Sequence, residues 1–129
     1  MIPFTFDLRK NGIQTRRVIV KAKDKLEAFA KVNNEIVELG EDIYLLSEWD
    51  LLLERLVEED LIWLVLGSMI SADNEEPIED RLMYLRCLSN TDRNILNISE
   101  QDKQKIYDYI DKSIKLLEDE ENNENNENI

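Results

Sequence analysis

Phe4, Phe6 and Leu8 alternate with Thr5, Asp7 and Arg9, and this period of two is the strongest constraint on what the chain can fold into. It predicts a half-buried strand. Lys10-Asn11-Gly12 follows as a turn signal, and the β-branched run Val18, Ile19, Val20 supplies a second strand, so a β-hairpin is expected. Two loops can close it. A two-residue Asn11-Gly12 loop pairs Phe6 with Arg17 and sends Val18 to the face opposite both phenylalanines. A three-residue Lys10-Asn11-Gly12 loop pairs Phe4 with Val18 and Ile2 with Val20, with Gly12 in the left-handed position of a bulge. A one-residue slip moves every side chain to the other face, so the three-residue loop is the expected one. Its outer face carries Arg9, Arg17 and Lys21.

Asp24 with Glu27 three residues on is a capping box, and Leu26, Phe29, Ala30, Ile36 and Leu39 recur at helical spacing up to a stop at Gly40. Residues 43–46 read either as a short third strand beside the hairpin or as a buried connector, with the strand favoured. Ser47 and Asp50 begin another helix, whose apolar face is Trp49, Leu52, Leu53, Leu56 and Val57. The stretch 61–70 is apolar almost all round and is expected to be the most buried segment. Periodicity alone does not separate strand from helix there, and Asp60 at its start and the lack of alternation favour a helix. Pro77 suits a first helical position, ahead of a buried stripe of Ile78, Leu82, Leu85 and Leu88. Ser99 and Asp102 cap a last helix with Ile106, Ile110, Ile114 and Leu117 on one face. From Glu118 the chain is acidic and Asn-rich, with nothing to bury before Ile129, and reads as a disordered tail over 118–129. The expected fold is therefore α+β: one domain over 1–117, with a ββα opening at 1–40 and a helical part at 47–117.

Charge divides unevenly along the chain. Residues 1–31 hold eight Lys/Arg and three Asp/Glu, a net of +5, whereas residues 32–129 hold eight and 26, a net of −18. A field of that size repels nucleic acid and acidic membranes and attracts basic partners. The longest apolar run, 61–66, is far below the ~18 residues of a membrane span, so no membrane partner is expected. With one cysteine and no leader-like N-terminus, the chain reads as cytoplasmic.

The chain has no histidine, which removes the commonest general base and metal ligand. Its three glycines, Gly12, Gly40 and Gly67, stand apart, so no phosphate-cradling loop can form. Cys87 sits between leucines and reads as a buried structural thiol. Asp73, Glu75, Glu76, Glu79 and Asp80 could in principle gather a hard cation, but acids at a helix start are more simply stabilised by its dipole. No catalytic residue, cofactor or metal site is expected.

Two charged surfaces remain as candidates. Glu58, Glu59, Asp73, Glu75, Glu76, Glu79 and Asp80 form an acidic surface suited to a partner protein with a basic one. Arg9, Arg16, Arg17 and Lys21 form a basic hairpin surface, the sole route by which this chain would meet nucleic acid. Trp49 and Trp63 read as core residues, but an uncovered 61–70 segment would mark a protein interface, including a self-associating one. The leading expectation is a non-catalytic inhibitor or regulator, of the kind phages and mobile elements encode, that occupies a basic surface. The alternatives are a nucleic-acid-binding module and an oligomeric assembly accessory.

Overall fold

A computed structural model describes residues 1–71 and 75–127 of the chain, with side chains to Asn123. The fold is α+β, and it divides into two compact units, Met1–Glu48 and Trp49–Ile129. The division falls where the hairpin-and-helix opening gives way to the helical part.

The first unit is a three-stranded antiparallel sheet with one helix on it. Strands β1 (Ile2–Lys10) and β2 (Ile13–Ala22) form the hairpin, helix α1 (Lys25–Lys31) runs on into a π turn (Val32–Ile36), and β3 (Asp42–Leu45) pairs with β1. The strand order is β2-β1-β3. Phe6 and Leu8 are buried with Val20, Ala22, Ala28 and Val32, and Phe6 meets the Phe29 ring edge-on at 5.2 Å. Asp24 caps α1 by accepting the Glu27 N–H at 2.8 Å. The buried face of α1 is Ala28 and Val32, however, while Leu26 and Leu39 are exposed. The helix also stops short of Gly40, which takes φ +86° in the turn leading to β3.

The hairpin departs from the expected register in an instructive way. Asn11 and Gly12 both have positive φ, as a two-residue type I′ turn requires. Lys10 then faces Ile13 and Arg9 faces Gln14, but Leu8 faces Arg16. Thr15 is thus an extra residue on β2, a bulge, and it shifts the remaining pairs to Phe6–Val18 and Phe4–Val20. The three-residue loop would have set Phe6 against Arg16. A tight turn plus a bulge keeps the apolar faces together and also sets Asp7 opposite Arg17.

The second unit is helical. It comprises α2 (Glu48–Glu58), α3 (Ile62–Ile70), α4 (Ile78–Ser89), a short 3₁₀ turn (Arg93–Ile95) and α5 (Glu100–Glu127). Its buried residues include Leu53, Leu56, Leu66, Leu82, Leu85, Leu88, Ile106, Ile110 and Leu117. Ser99 caps α5 by accepting the Asp102 N–H at 3.1 Å. Pro77 is the cap of α4 rather than its first residue. Arg81, itself buried, donates at 2.8 Å to the Met69 carbonyl near the end of α3, placing a cation where the helix dipole is negative. The Tyr107 hydroxyl is 2.6 Å from that of Thr91, and burial pushes its pKa up.

Four expectations change here. Asp60 does not start α3: with φ +56° it ends α2, where the Leu61 N–H reaches the Leu56 carbonyl at 2.8 Å and the Asp60 N–H reaches Val57 at 3.1 Å. That double closure is a Schellman ending, a position glycine usually fills. Segment 61–70 is a helix but not the most buried one, because only Ile62 and Leu66 are fully buried and Trp63, Leu64 and Ser68 are exposed. Cys87 is half-buried. Helix α5 continues through Glu127, past Leu117, where the tail was expected to begin. Once a helix is nucleated, each further residue adds a hydrogen bond and requires no apolar side chain, and glutamate is a fair helix former. Among the described residues, no helix is long and apolar enough to cross a membrane.

Candidate interaction surfaces

The basic hairpin surface does not assemble as expected. Asp7 lies on the face of β1 away from α1, 1% exposed, with a cation on each side. Its Oδ1 accepts from Arg17 Nε at 2.7 Å and from Gln14 Nε2 at 3.1 Å, and Arg9 Nη2 is 3.7 Å from Oδ2. Arg9 is itself buried, with its guanidinium 4.2 Å from the centre of the Tyr44 ring. Strand alternation puts Asp7 and Arg9 on one face, and the bulged register puts Arg17 across from Asp7. A carboxylate this deeply buried needs such partners, since unpaired burial of a charge is very costly.

Arg16 is drawn off separately. Its Nη2 donates to Glu41 Oε1 at 2.9 Å and to the Ile36 carbonyl at 2.5 Å. Glu41 Oε2 also lies 2.5 Å from the hydroxyl of Thr15, the bulged residue, and Oε1 accepts the Glu38 N–H at 2.9 Å. The Arg16 hydrogen bond, followed by those of Thr15 and Glu38, lowers the Glu41 pKa from 4.5 to about 2. This clasp ties the loop before β3 to the hairpin. Of the four expected basic residues, Lys21 is left exposed. Over Met1–Glu48, eight Lys/Arg meet eight Asp/Glu, so the unit is neutral.

The whole net charge of −13 therefore belongs to Trp49–Ile129, where eight Lys/Arg face 21 Asp/Glu. Glu58 and Glu59 are exposed at the end of α2, the latter 3.4 Å from Arg55. Glu75 and Glu76 precede α4, and Glu79 and Asp80 lie in its first turn, all exposed. Asp73 lies outside the described residues. Among the described residues, no group of three or more acids or thiols is arranged to hold a metal ion.

A third surface was not expected as such. Trp49 packs edge-on against Tyr84 at 5.1 Å and is half-buried, as a core residue would be. Trp63, by contrast, is 43% exposed and stands edge-on to Tyr109 of α5, with ring centres 5.3 Å apart and planes at 87°. The two rings, with Lys105, Asp108 and Lys112, line an open groove of about 340 Å³ between α3 and α5. Leu64 (68% exposed) follows Trp63 on α3, and Leu116 (50%) follows Lys112 one turn along α5. The signal was present in α5, where Lys105, Tyr109, Lys112 and Leu116 recur at helical spacing beside the buried stripe.

No protein-family model matches the chain, and neither a curated protein nor a solved structure is significantly similar to it.

Proposed function

We propose that this chain is a non-catalytic interaction protein, an inhibitor or regulator, whose acidic helical unit occupies a basic surface on another protein. One observation carries the reading: the first unit is electrically neutral, and the helical unit holds all of the −13. Carboxylates at Glu58, Glu59, Glu75, Glu76, Glu79 and Asp80 are solvent-exposed at helix ends, where a partner can reach them. Such a surface steers association and sets specificity more than it adds affinity. Internal pairing of Arg9, Arg16 and Arg17 favours this protein partner over nucleic acid. The reading is tested by affinity capture with the full chain from its native cells, at low salt and at about 0.5 M, where the screening length falls well below 10 Å. Partners should be retained at low salt and released at high salt. The same set of partners retained at both would refute the electrostatic account.

A further inference from the structure

The groove between α3 and α5 has a chemistry opposite to that of the unit around it. Its floor is aromatic, Trp63 against Tyr109, and exposed Leu116, one turn beyond Lys112, extends the apolar surface along α5. Lys105 and Lys112 stand at its rim seven residues apart on α5, two turns or ~10 Å. Neither lysine makes an ion pair among the described residues. The one rim carboxylate, Asp108, is engaged by Gln104 Nε2 at 2.7 Å. In a unit with 21 acids and eight cations, two lysines against the one carboxylate of Asp108 give the groove lining a net charge of +1, opposite in sign to the unit.

We infer that this groove docks a short segment of a partner protein in which one large apolar side chain is flanked by carboxylates. The apolar side chain seats on the Trp63–Tyr109 pair, and the carboxylates meet Lys105 and Lys112. Exposed tryptophan and tyrosine are the residue types on which interface energy most often concentrates. A volume of about 340 Å³, open along its length, suits a side chain presented by a longer segment rather than an enclosed small ligand. Repulsion from the rest of the unit is screened beyond ~8 Å at physiological ionic strength, so contact with the two lysines decides the preference. A second copy of the chain is a poor occupant, because it brings another −13 against the same charge.

The probes are two synthetic helical peptides sharing a Leu/Phe face, one with glutamate and one with lysine at the flanking positions. Binding to the full chain is followed by NMR through the Trp63 indole and the amides of residues 105–116. The glutamate peptide should shift these signals saturably and bind at least about tenfold tighter than the lysine peptide. Trp63→Ala should weaken it by about tenfold or more. The exposed pair Lys105→Glu/Lys112→Glu, which leaves the core untouched, should invert the preference. Replacing the six acidic-surface carboxylates by their amides should leave this binding unchanged, which separates this site from the function proposed above. The inference is overturned if neither peptide binds, if wild type takes both equally, or if shifts map elsewhere. It is also overturned if sedimentation shows the chain self-associating and Trp63→Ala disperses it, since the occupant is then a second copy.

Discussion

Glu41 shows how one side chain can hold a loop in place. It accepts from Arg16, Thr15 and the Glu38 N–H, and together they hold its pKa at about 2. Because the folded pKa lies below the ordinary 4.5, the clasp stabilises fully above pH 4.5 and its contribution is lost as pH falls towards 2. An NMR titration of the Glu41 carboxyl carbon should give a midpoint near 2, and Arg16→Gln should move it back up towards 4.5. A wild-type midpoint near 4.5 would contradict the clasp. This is also where sequence reading reached its limit. The strand residues were legible from alternation, but the bulge at Thr15 involves Glu41, 26 residues away. Turn rules alone cannot weigh a partner that distant. The fate of Arg9 was hidden for the same reason: a cation on an alternating strand reads as solvent-facing unless its carboxylate is known to be buried beside it.

At the level of elements, helix identity was legible, and so were the faces of α4 and α5, where Leu82, Leu85, Leu88, Ile106, Ile110 and Leu117 of the expected stripes are buried; the faces of α1 and α3 were not. Capping pairs at Asp24/Glu27 and Ser99/Asp102 marked two starts, both matched by hydrogen bonds to the capping side chain. Segment 61–70 offered no polar stripe to show which side faces solvent, so burial was over-read, and the exposed Trp63 and Leu64 were assigned to the core. Asp60 misled differently, since aspartate is a common helix-starting residue and here ends the helix before. Its left-handed φ costs an L-residue about 1 kcal/mol, and its charge sits at the unfavourable end of the α2 dipole. Asp60→Gly should therefore raise stability by about 0.5–1 kcal/mol. Urea unfolding followed by tryptophan fluorescence isolates the effect, because both tryptophans, Trp49 and Trp63, lie in the second unit. A lowered midpoint would show that the carboxylate has a role the helix ending does not reveal.

For the whole molecule, the α+β class followed from a period-two opening and period-3.6 continuation, and the structure has that class. The charge asymmetry was also legible, but its boundary was misplaced. Splitting at residue 31 left a basic hairpin of +5; the structural boundary at Glu48 brings in Glu35, Glu38, Glu41, Asp42 and Glu48 and neutralises it. What looked like two opposed surfaces is a neutral unit and an acidic one. The most direct test of that claim is the salt dependence of the dissociation constant for the captured partner. It should be compared between the wild-type chain and a variant with Glu58, Glu59, Glu75, Glu76 and Glu79 changed to Gln and Asp80 to Asn. The account predicts affinity that falls steeply with salt for wild type and a much flatter dependence for the variant. Equal slopes for the two, or a wild-type constant indifferent to salt, would contradict it.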